Sequence, residues 1–456
     1  MDVNSLRKKY PEITYRHFNW KIGQQALHLN FEYYIRPRFT FHTKVDIHFK
    51  GSVMRTDIPE AFINNAVFHL GLVDLFSYWK LVCAPVIAIT AGSLTWRQIT
   101  FWQRLLIRGM GEYFYKNRVD FTRPNFVTWQ VAPKPAYLST FMPNSNKYLL
   151  LIGGGKDSLI AQQILTELKG DVATLKETTY ININNLPAKT VAFNVTVDRT
   201  LDPQLIRLNQ AGYLNGHVPY SAYLAFVSVI AAAFTGSKYI VVGNERSADE
   251  ANVIYLKKRI NHQYSKTFEF ETEFRNYLTK YITPYISYFS LIRPLYELEI
   301  ARLISRYPEL VDRFSSCNRL RENGKWCGKC PKCLSTFLLF APFIGVAEIT
   351  RIIGKNLLIE STLLPLFKNL IDPSLTKPFE CVATYRELQV ASYLLTQAFR
   401  ERNEALPVLL GYFAQDLLPQ RANWDKPVQA ILTHWDSKHF IPPEIAQYLK
   451  SKITQL

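Results

Sequence analysis

From Ala26 to Phe49 apolar and polar residues alternate, with Leu27, Leu29, Phe31 and Tyr33, then Phe39, Phe41, Val45 and Ile47, on alternate positions. A period of two puts those side chains on one face of a strand, so the segment predicts a small antiparallel sheet. The period then changes to helical spacing over Glu60 to Trp79 and Trp96 to Tyr115. A stretch punctuated by Pro133, Pro135, Pro143, Asn144 and Asn146 breaks the pattern. Such punctuation marks a loop, and we place a domain boundary there, at residue 141.

From Lys147 short apolar strands alternate with helices. Tyr148 to Ile152 is followed by a helix over Ser158 to Leu168, Thr190 to Val195 by a helix over Pro203 to Asn209, and a long helix leads into Tyr239 to Val242. A further strand at Tyr288 to Ile292 and helices at Glu297 to Arg306 and Leu334 to Phe343 continue the rhythm, which is that of a parallel sheet with helical crossovers. Past Gly345 the chain reads as helical, broken near Pro373, Pro378 and Pro419. The expected fold is therefore α/β: an N-terminal α+β domain over 1–141, a parallel-sheet core over 142–345 and a helical C-terminal region over 346–456. The most apolar run, Leu224 to Phe234, falls short of the roughly 20 residues a membrane helix needs and predicts a buried helix instead.

Composition narrows this picture. A chain of 456 residues with 48% hydrophobic and 14% aromatic content has ample material for packed cores, which excludes wholesale disorder. Asp2, Arg7, Lys8, Lys9 and Glu12 interrupt the first residues, so no secretory signal is expected and the mature chain is expected to start at Met1. Six cysteines are too few for a disulfide framework, and four of them crowd into residues 317–333. That usage fits a reducing cytoplasm and a bound metal. The net charge of +17 implies an anionic partner or substrate, with nucleic acid, nucleotides and acidic metabolites all admissible. No basic run exceeds Arg7-Lys8-Lys9, so the excess is scattered over solvated faces; nucleic-acid binding is the less favoured choice but stays open.

The first candidate for chemistry is Gly153-Gly154-Gly155-Lys156-Asp157-Ser158, between the apolar strand Leu149-Leu150-Leu151-Ile152 and an apolar helix. A strand, a glycine turn and a helix N-terminus in that order point backbone N–H groups at an anion. The glycines let the main chain approach phosphate oxygens, Lys156 adds positive charge, Ser158 offers a hydroxyl, and Asp157 either caps the helix or holds a magnesium ion. The spacing is neither that of a Walker A loop nor that of a dinucleotide turn. A second candidate is the turn Asn215-Gly216-His217-Val218-Pro219, where His217 is either a ligand-contacting or acid/base group or a histidine bonded to a backbone carbonyl. A third is Gly243-Asn244-Glu245-Arg246-Ser247-Ala248, just past a strand end, where open α/β sheets bind ligands; Asn244, Glu245 and Arg246 are either site residues or a solvated loop.

Cys317, Cys327, Cys330 and Cys333 form a C-x9-C-x2-C-x2-C pattern. Two Cys-x-x-Cys steps curl the backbone around one tetrahedral ion, which reads as structural zinc; an iron–sulfur cluster is the alternative. Four protein thiolates leave no open coordination position, so the ion is expected to staple a loop to the following helix rather than to take part in chemistry. Cys83 and Cys381 lie outside the pattern.

The GGGKDS loop resembles the SGGxDS loop of the PP-loop ATP pyrophosphatases, with Gly153 where that signature opens on a serine. Together with the GHVP turn, the GNERSA strand end and the cysteine pattern, residues 147–345 look like a PP-loop (HUP-like) core with a zinc clip, a pairing similar to that of the 7-cyano-7-deazaguanine synthases. The whole chain more closely resembles the MurL-type UDP-N-acetylmuramoyl-L-alanyl-L-glutamate epimerases. The residues that carry this are Trp326-Cys327-Gly328-Lys329-Cys330-Pro331-Lys332-Cys333, Ala341-Pro342-Phe343 and Lys377-Pro378-Phe379-Glu380-Cys381, together with the long N-terminal domain. The resemblance implies ATP- and Mg2+-dependent inversion of the terminal L-Glu of UDP-N-acetylmuramoyl-L-Ala-L-Glu to D-Glu, releasing AMP and pyrophosphate, in peptidoglycan precursor synthesis. Activating the carboxylate as an acyl-adenylate would remove the charge that opposes carbanion formation, and His217, Glu245 and Cys381 are then the candidates for proton transfer. For Cys381 a buried apolar thiol is the competing interpretation. The rival function is a nucleobase- or tRNA-modifying ligase using the same loop. A zinc-stabilised nucleic-acid-binding protein with a vestigial loop is the third.

Overall fold

A computed structural model describes residues 2–50, 54–132, 141–179, 193–319 and 326–454. Its centre is a ten-stranded sheet. In chain order the strands are β1 (Glu12–Ile22), β2 (Ala26–Arg36), β3 (Phe39–Phe49), β4 (Val86–Ile89), β5 (Thr128–Val131), β6 (Tyr148–Leu151), β7 (Val172–Thr179), β8 (Val195–Thr200), β9 (Tyr239–Val242), a separate hairpin β10 (Val253–Tyr255) and β11 (Lys258–Ile260), and β12 (Ser287–Ser290). The spatial order is β12-β9-β6-β7-β8-β3-β2-β1-β4-β5.

Neighbours from β12 to β8 pair in parallel, β8 to β3, β3 to β2 and β2 to β1 antiparallel, and β1 to β4 and β4 to β5 parallel again. The alternating segment predicted from Ala26 to Phe49 is thus β2 and β3, but it is no isolated sheet. Lys44 to Phe49 pair with Thr200 to Val195, so strands from both sides of residue 141 share one sheet. Phe39, Phe41, Val45, Ile47 and Phe49 are buried on one face, as the period of two requires.

That face is covered by the helix Glu60–Asp74 and by Tyr220–Thr235, which pack on each other. The second carries the apolar run noted above and is buried nearly all round. No helix among the described residues is long and apolar enough to cross a membrane. Arg199 of β8 ties these layers together: its Nε donates to Asp74 Oδ1 at 2.9 Å, and its guanidinium stacks 4.2 Å from the Tyr223 ring. A second apolar core joins the opposite side of β6, β9 and β12 to the helices Lys156–Glu167, Glu297–Ile304, Pro331–Ile344 and Tyr385–Glu401.

Two expectations need correction. The strand expected at Thr190 to Val195 begins at Val195 and runs to Thr200, with residues 190–192 outside the described residues; Pro133 and Pro135 also lie outside them. β7 is an additional strand between β6 and β8.

Candidate functional site

In the parallel half of the sheet β6 is central, with β7 and β8 built outward on one side and β9 and β12 on the other. The direction of strand succession reverses between β6 and β9, and an open parallel sheet forms its ligand crevice beyond the strand ends at such a reversal. The two loops that emerge there are Gly153-Gly154-Gly155 after β6 and Gly243-Asn244-Glu245 after β9.

Gly154 has φ +80°, a left-handed conformation that favours glycine, and a Cβ placed on Gly153 or Gly154 would meet no atom within 4 Å. The loop is therefore bare on its open side. The helix Lys156–Glu167 follows with Gly155 at its N-cap and no side-chain cap. Its first N–H groups and positive dipole end are thus left for an anion. Ser158 donates its hydroxyl back to the Gly155 carbonyl at 3.1 Å. Gly243 makes the crossing of the two loops possible, because a Cβ there would sit 2.9 Å from the carbonyl carbon and oxygen of Asp157.

The charged side chains of the loop face inward. Lys156 is buried, with its Nζ 2.5 Å from Asp157 Oδ1 and 2.9 Å from Glu297 Oε2. Burial works against its charge, but Asp157, Glu297 and Glu245 outweigh it and raise its pKa. Asp157 lies within the first turn rather than at the cap; burial raises its pKa against the pull of Lys156. Glu245 is buried as well, and Lys266 and Lys156 overcome its burial and keep it ionised. Asn244 is held through its backbone, with its N–H donating to Ser290 Oγ at 2.9 Å and its carbonyl accepting from that hydroxyl at 2.6 Å. Arg246 turns away: it pairs with Asp436 at 2.5 Å and with His434, and lines a separate cleft of about 490 Å³ with Arg108, Arg259 and Lys438.

A second group of ionisable residues adjoins this one through Lys266. Its Nζ donates to Cys381 Sγ at 3.5 Å, and its charge also acts on Glu245 and Asp157. Burial pushes the Cys381 thiol up, but Lys266, the neighbouring His262 and the charge of Lys332 bring it down to about 6. His262 is disfavoured as a cation by burial, yet Cys381 and Glu112 raise it to about 9. Its Nδ1 lies 2.5 Å from Glu112 Oε2. Burial favours the protonated Glu112 carboxyl, but His262, Lys116 and His217 hold it down at about 2. His217 packs on His262 with ring centroids 4.4 Å apart, and burial together with the His262 charge lowers it to about 3. At neutral pH the group therefore holds a thiolate, an imidazolium, a carboxylate and a neutral imidazole.

Cys381 is placed by its neighbours in the chain. Lys377 pairs with Glu250 at 2.8 Å, and Asn252 clamps the segment by donating to the Pro378 carbonyl at 2.8 Å. Phe379 packs on Tyr115, 5.3 Å between centroids. His217, Glu245 and Cys381, far apart in the chain, thus converge on one region. Glu112, His262, Lys266 and Glu297, which no motif singled out, converge with them.

Glu112, His217 and His262 have donor atoms within 4.8 Å of one another, a set that includes ligand types for a divalent ion. The direct hydrogen bond between Glu112 and His262 makes the set a carboxylate–imidazole pair. The four cysteines form a metal site of different character. Their sulfurs are buried and separated by 3.9 Å (Cys317–Cys330), 3.6 Å (Cys327–Cys333) and 3.4 Å (Cys330–Cys333). A tetrahedron with metal–sulfur bonds of ~2.3 Å has edges of about 3.8 Å, so the donor set suits zinc. Cys330 caps the helix Pro331–Ile344, and that helix packs on Tyr385–Glu401, which follows Cys381.

The chain matches the model of the MurL N-terminal domain over residues 5–291 and that of the MurL C-terminal domain over residues 313–423. It is similar to three proteins named UDP-N-acetyl-alpha-D-muramoyl-L-alanyl-L-glutamate epimerase. The protein from Xanthomonas oryzae pv. oryzae is 31% identical over 395 residues, covering 85% of this chain and 86% of the relative. That from Salinispora tropica is 32% identical over 409 residues (87% and 86%), and that from a Micromonospora species 31% over 408 (86% and 88%).

Proposed function

The chain belongs to the MurL family, and from that premise we propose that it inverts the terminal L-Glu of UDP-N-acetylmuramoyl-L-Ala-L-Glu to D-Glu after activating a carboxylate with ATP. One observation carries the reading: the bare glycine loop after β6 and the Cys381–His262–Glu112 group are joined through Lys266, whose charge acts on Asp157 at one end and Cys381 at the other.

In this reading the loop is the phosphate site of a PP-loop core. The substrate carboxylate attacks the α-phosphorus of ATP, pyrophosphate leaves toward the uncapped helix N-terminus, and an acyl-adenylate remains. Magnesium would be held at Asp157 and would supply charge neutralisation on the phosphates. Lys156 does not reach for the phosphates in this arrangement; it keeps Asp157, Glu245 and Glu297 together at the loop. The acyl-adenylate has no carboxylate charge, so its α-proton is acidic enough for a positioned base.

Cys381, a thiolate at neutral pH, takes that proton, with Lys266 and His262 stabilising the sulfur charge. Return of a proton to the opposite face and hydrolysis of the adenylate give the D-epimer and AMP. His217 and Glu245 are the candidates for the opposite face; as a neutral imidazole beside His262 and a carboxylate between the two lysines, either would first take up a proton from water and then pass it to the α-carbon. The cysteine cluster would hold zinc as a structural clip. We further propose a division of labour along the chain: residues 1–141 help hold the sugar nucleotide, 142–345 activate the carboxylate, and 346–456 deliver Cys381.

The test is incubation of purified protein with Mg-ATP and UDP-N-acetylmuramoyl-L-Ala-L-Glu, with AMP and pyrophosphate assayed and the product glutamate analysed for chirality. D-Glu formed with AMP, and neither formed by Asp157→Ala, supports the reading. AMP without inversion points to a ligase, and AMP released only with a nucleobase or tRNA overturns the assignment.

A further inference from the structure

The loop opens on Gly153 where the pyrophosphatase signature has serine, so one hydroxyl contact to phosphate is missing from β6 and its turn. The segment before the cysteine clip runs alongside that gap. Ser315 N–H donates to the Gly154 carbonyl at 3.1 Å, which fixes residues 315 and 316 against the loop. A Cβ placed on Gly155 would lie 3.7 Å from Ser316 Oγ, so the Ser316 side chain faces the glycine turn. Ser316 is half-buried, and neither its hydroxyl nor the buried hydroxyl of Ser315 has a hydrogen-bond partner among the described residues. Two hydroxyls without partners beside a bare glycine loop and an uncapped helix end are groups arranged for an incoming acceptor.

We infer that Ser316 supplies the phosphate-binding hydroxyl that Gly153 lacks, and that the cysteine clip starting at Cys317 holds it in place. The inference rests on the loop being the ATP phosphate site. A serine at position 153 would sit at the end of β6, whereas Ser316 meets the same turn at Gly155, on a segment anchored by the next residue's place in the four-cysteine cluster. Closing the phosphate site then depends on two parts of the chain, the loop after β6 and the segment before the cysteine clip. The ligand chemistry is a polyphosphate oxygen, and removing the clip's metal would loosen this wall without touching Gly153 to Ser158.

The experiment is equilibrium binding of Mg-ATP to the full-length protein by titration calorimetry, for wild type, Ser316→Ala, Ser316→Thr and Gly153→Ser/Ser316→Ala. Loss of one hydrogen bond to a charged acceptor predicts affinity lower by roughly tenfold or more in Ser316→Ala. Ser316→Thr keeps the hydroxyl and is expected to bind within a few-fold of wild type. Position 153 has open space for a side chain, so the double variant is expected to recover most of the lost affinity. A merely structural role for Ser316 would not be rescued from Gly153. Unchanged affinity in Ser316→Ala, or no recovery in the double variant, overturns the inference; if Asp157→Ala still loses AMP formation, the reading of the loop stands without it. Absence of Mg-ATP binding by wild type overturns both.

Discussion

The ammonium of Lys266 lies 3.5 Å from the sulfur of Cys381, and the two are brought together from segments 115 residues apart. With His262 this contact holds the thiol near 6 although burial pushes it up. Alkylation of Cys381 by iodoacetamide should therefore follow a titration centred at about pH 6. In Lys266→Met the midpoint moves upward and the rate at pH 7 falls by roughly tenfold or more, since only the thiolate reacts. Mass spectrometry of the modified peptide reads both.

In the proposed reaction, Cys381 near 6 and His262 near 9 would also set a pH window for proton transfer. The thiolate is lost as pH falls through about 6, and the imidazolium is lost as pH rises through about 9. Epimerisation is expected to rise and then fall between those limits. In His262→Gln the upper limb disappears and the lower limb shifts upward; a profile of unchanged shape contradicts the pairing.

Gly243 is a close-approach position. A methyl group there would lie 2.9 Å from two backbone atoms of Asp157, which cannot move as a side-chain tip can. Gly243→Ala should separate the β6 and β9 loops, lower stability by about 1–3 kcal/mol and weaken ATP binding by more than tenfold. Denaturant midpoints and calorimetry separate the two effects.

Asp74→Ala tests the layer beneath the site. It leaves Arg199 buried without its carboxylate partner, and the cost is expected at about 3–5 kcal/mol. Arg199→Met combined with Asp74→Leu should recover much of that loss, because neither replacement leaves a buried charge. Thermal unfolding measures both.

Elemental analysis should find one zinc per chain, with no visible absorption of the kind an iron–sulfur cluster gives. Removing the metal with a chelator, or replacing Cys330 by Ser, should loosen the helix Pro331–Ile344 and lower the melting temperature by several degrees.

The loop was readable from sequence because its signal is local: an apolar strand, three glycines and a helix start are consecutive, and β9 was located to the residue for the same reason. β7 was not, because Val172–Thr179 carries Lys176, Glu177 and three threonines in an interior strand and lacks a continuous apolar run. The β10–β11 hairpin was also missed. Its turn places Leu256 and Lys257 at φ +49° and +61°, conformations normally announced by Asn or Gly. Of the residues that converge at the candidate site, His217, Glu245 and Cys381 were singled out through motifs. Glu112, His262 and Lys266 have no diagnostic spacing and emerge only when the helix Gly111–Lys116, the turn after β11 and the 3-10 turn Tyr264–Lys266 meet the segment before Tyr385–Glu401.

The most direct test of the account follows the glutamate α-hydrogen by NMR in deuterium oxide, with Mg-ATP and UDP-N-acetylmuramoyl-L-Ala-L-Glu, in wild type and Cys381→Ala. The wild-type product is predicted to carry α-deuterium only when ATP is present. Cys381→Ala, which continues to form AMP, is predicted to lose that incorporation at least a hundredfold. Incorporation without ATP, or undiminished incorporation in Cys381→Ala, would contradict the proposed reaction.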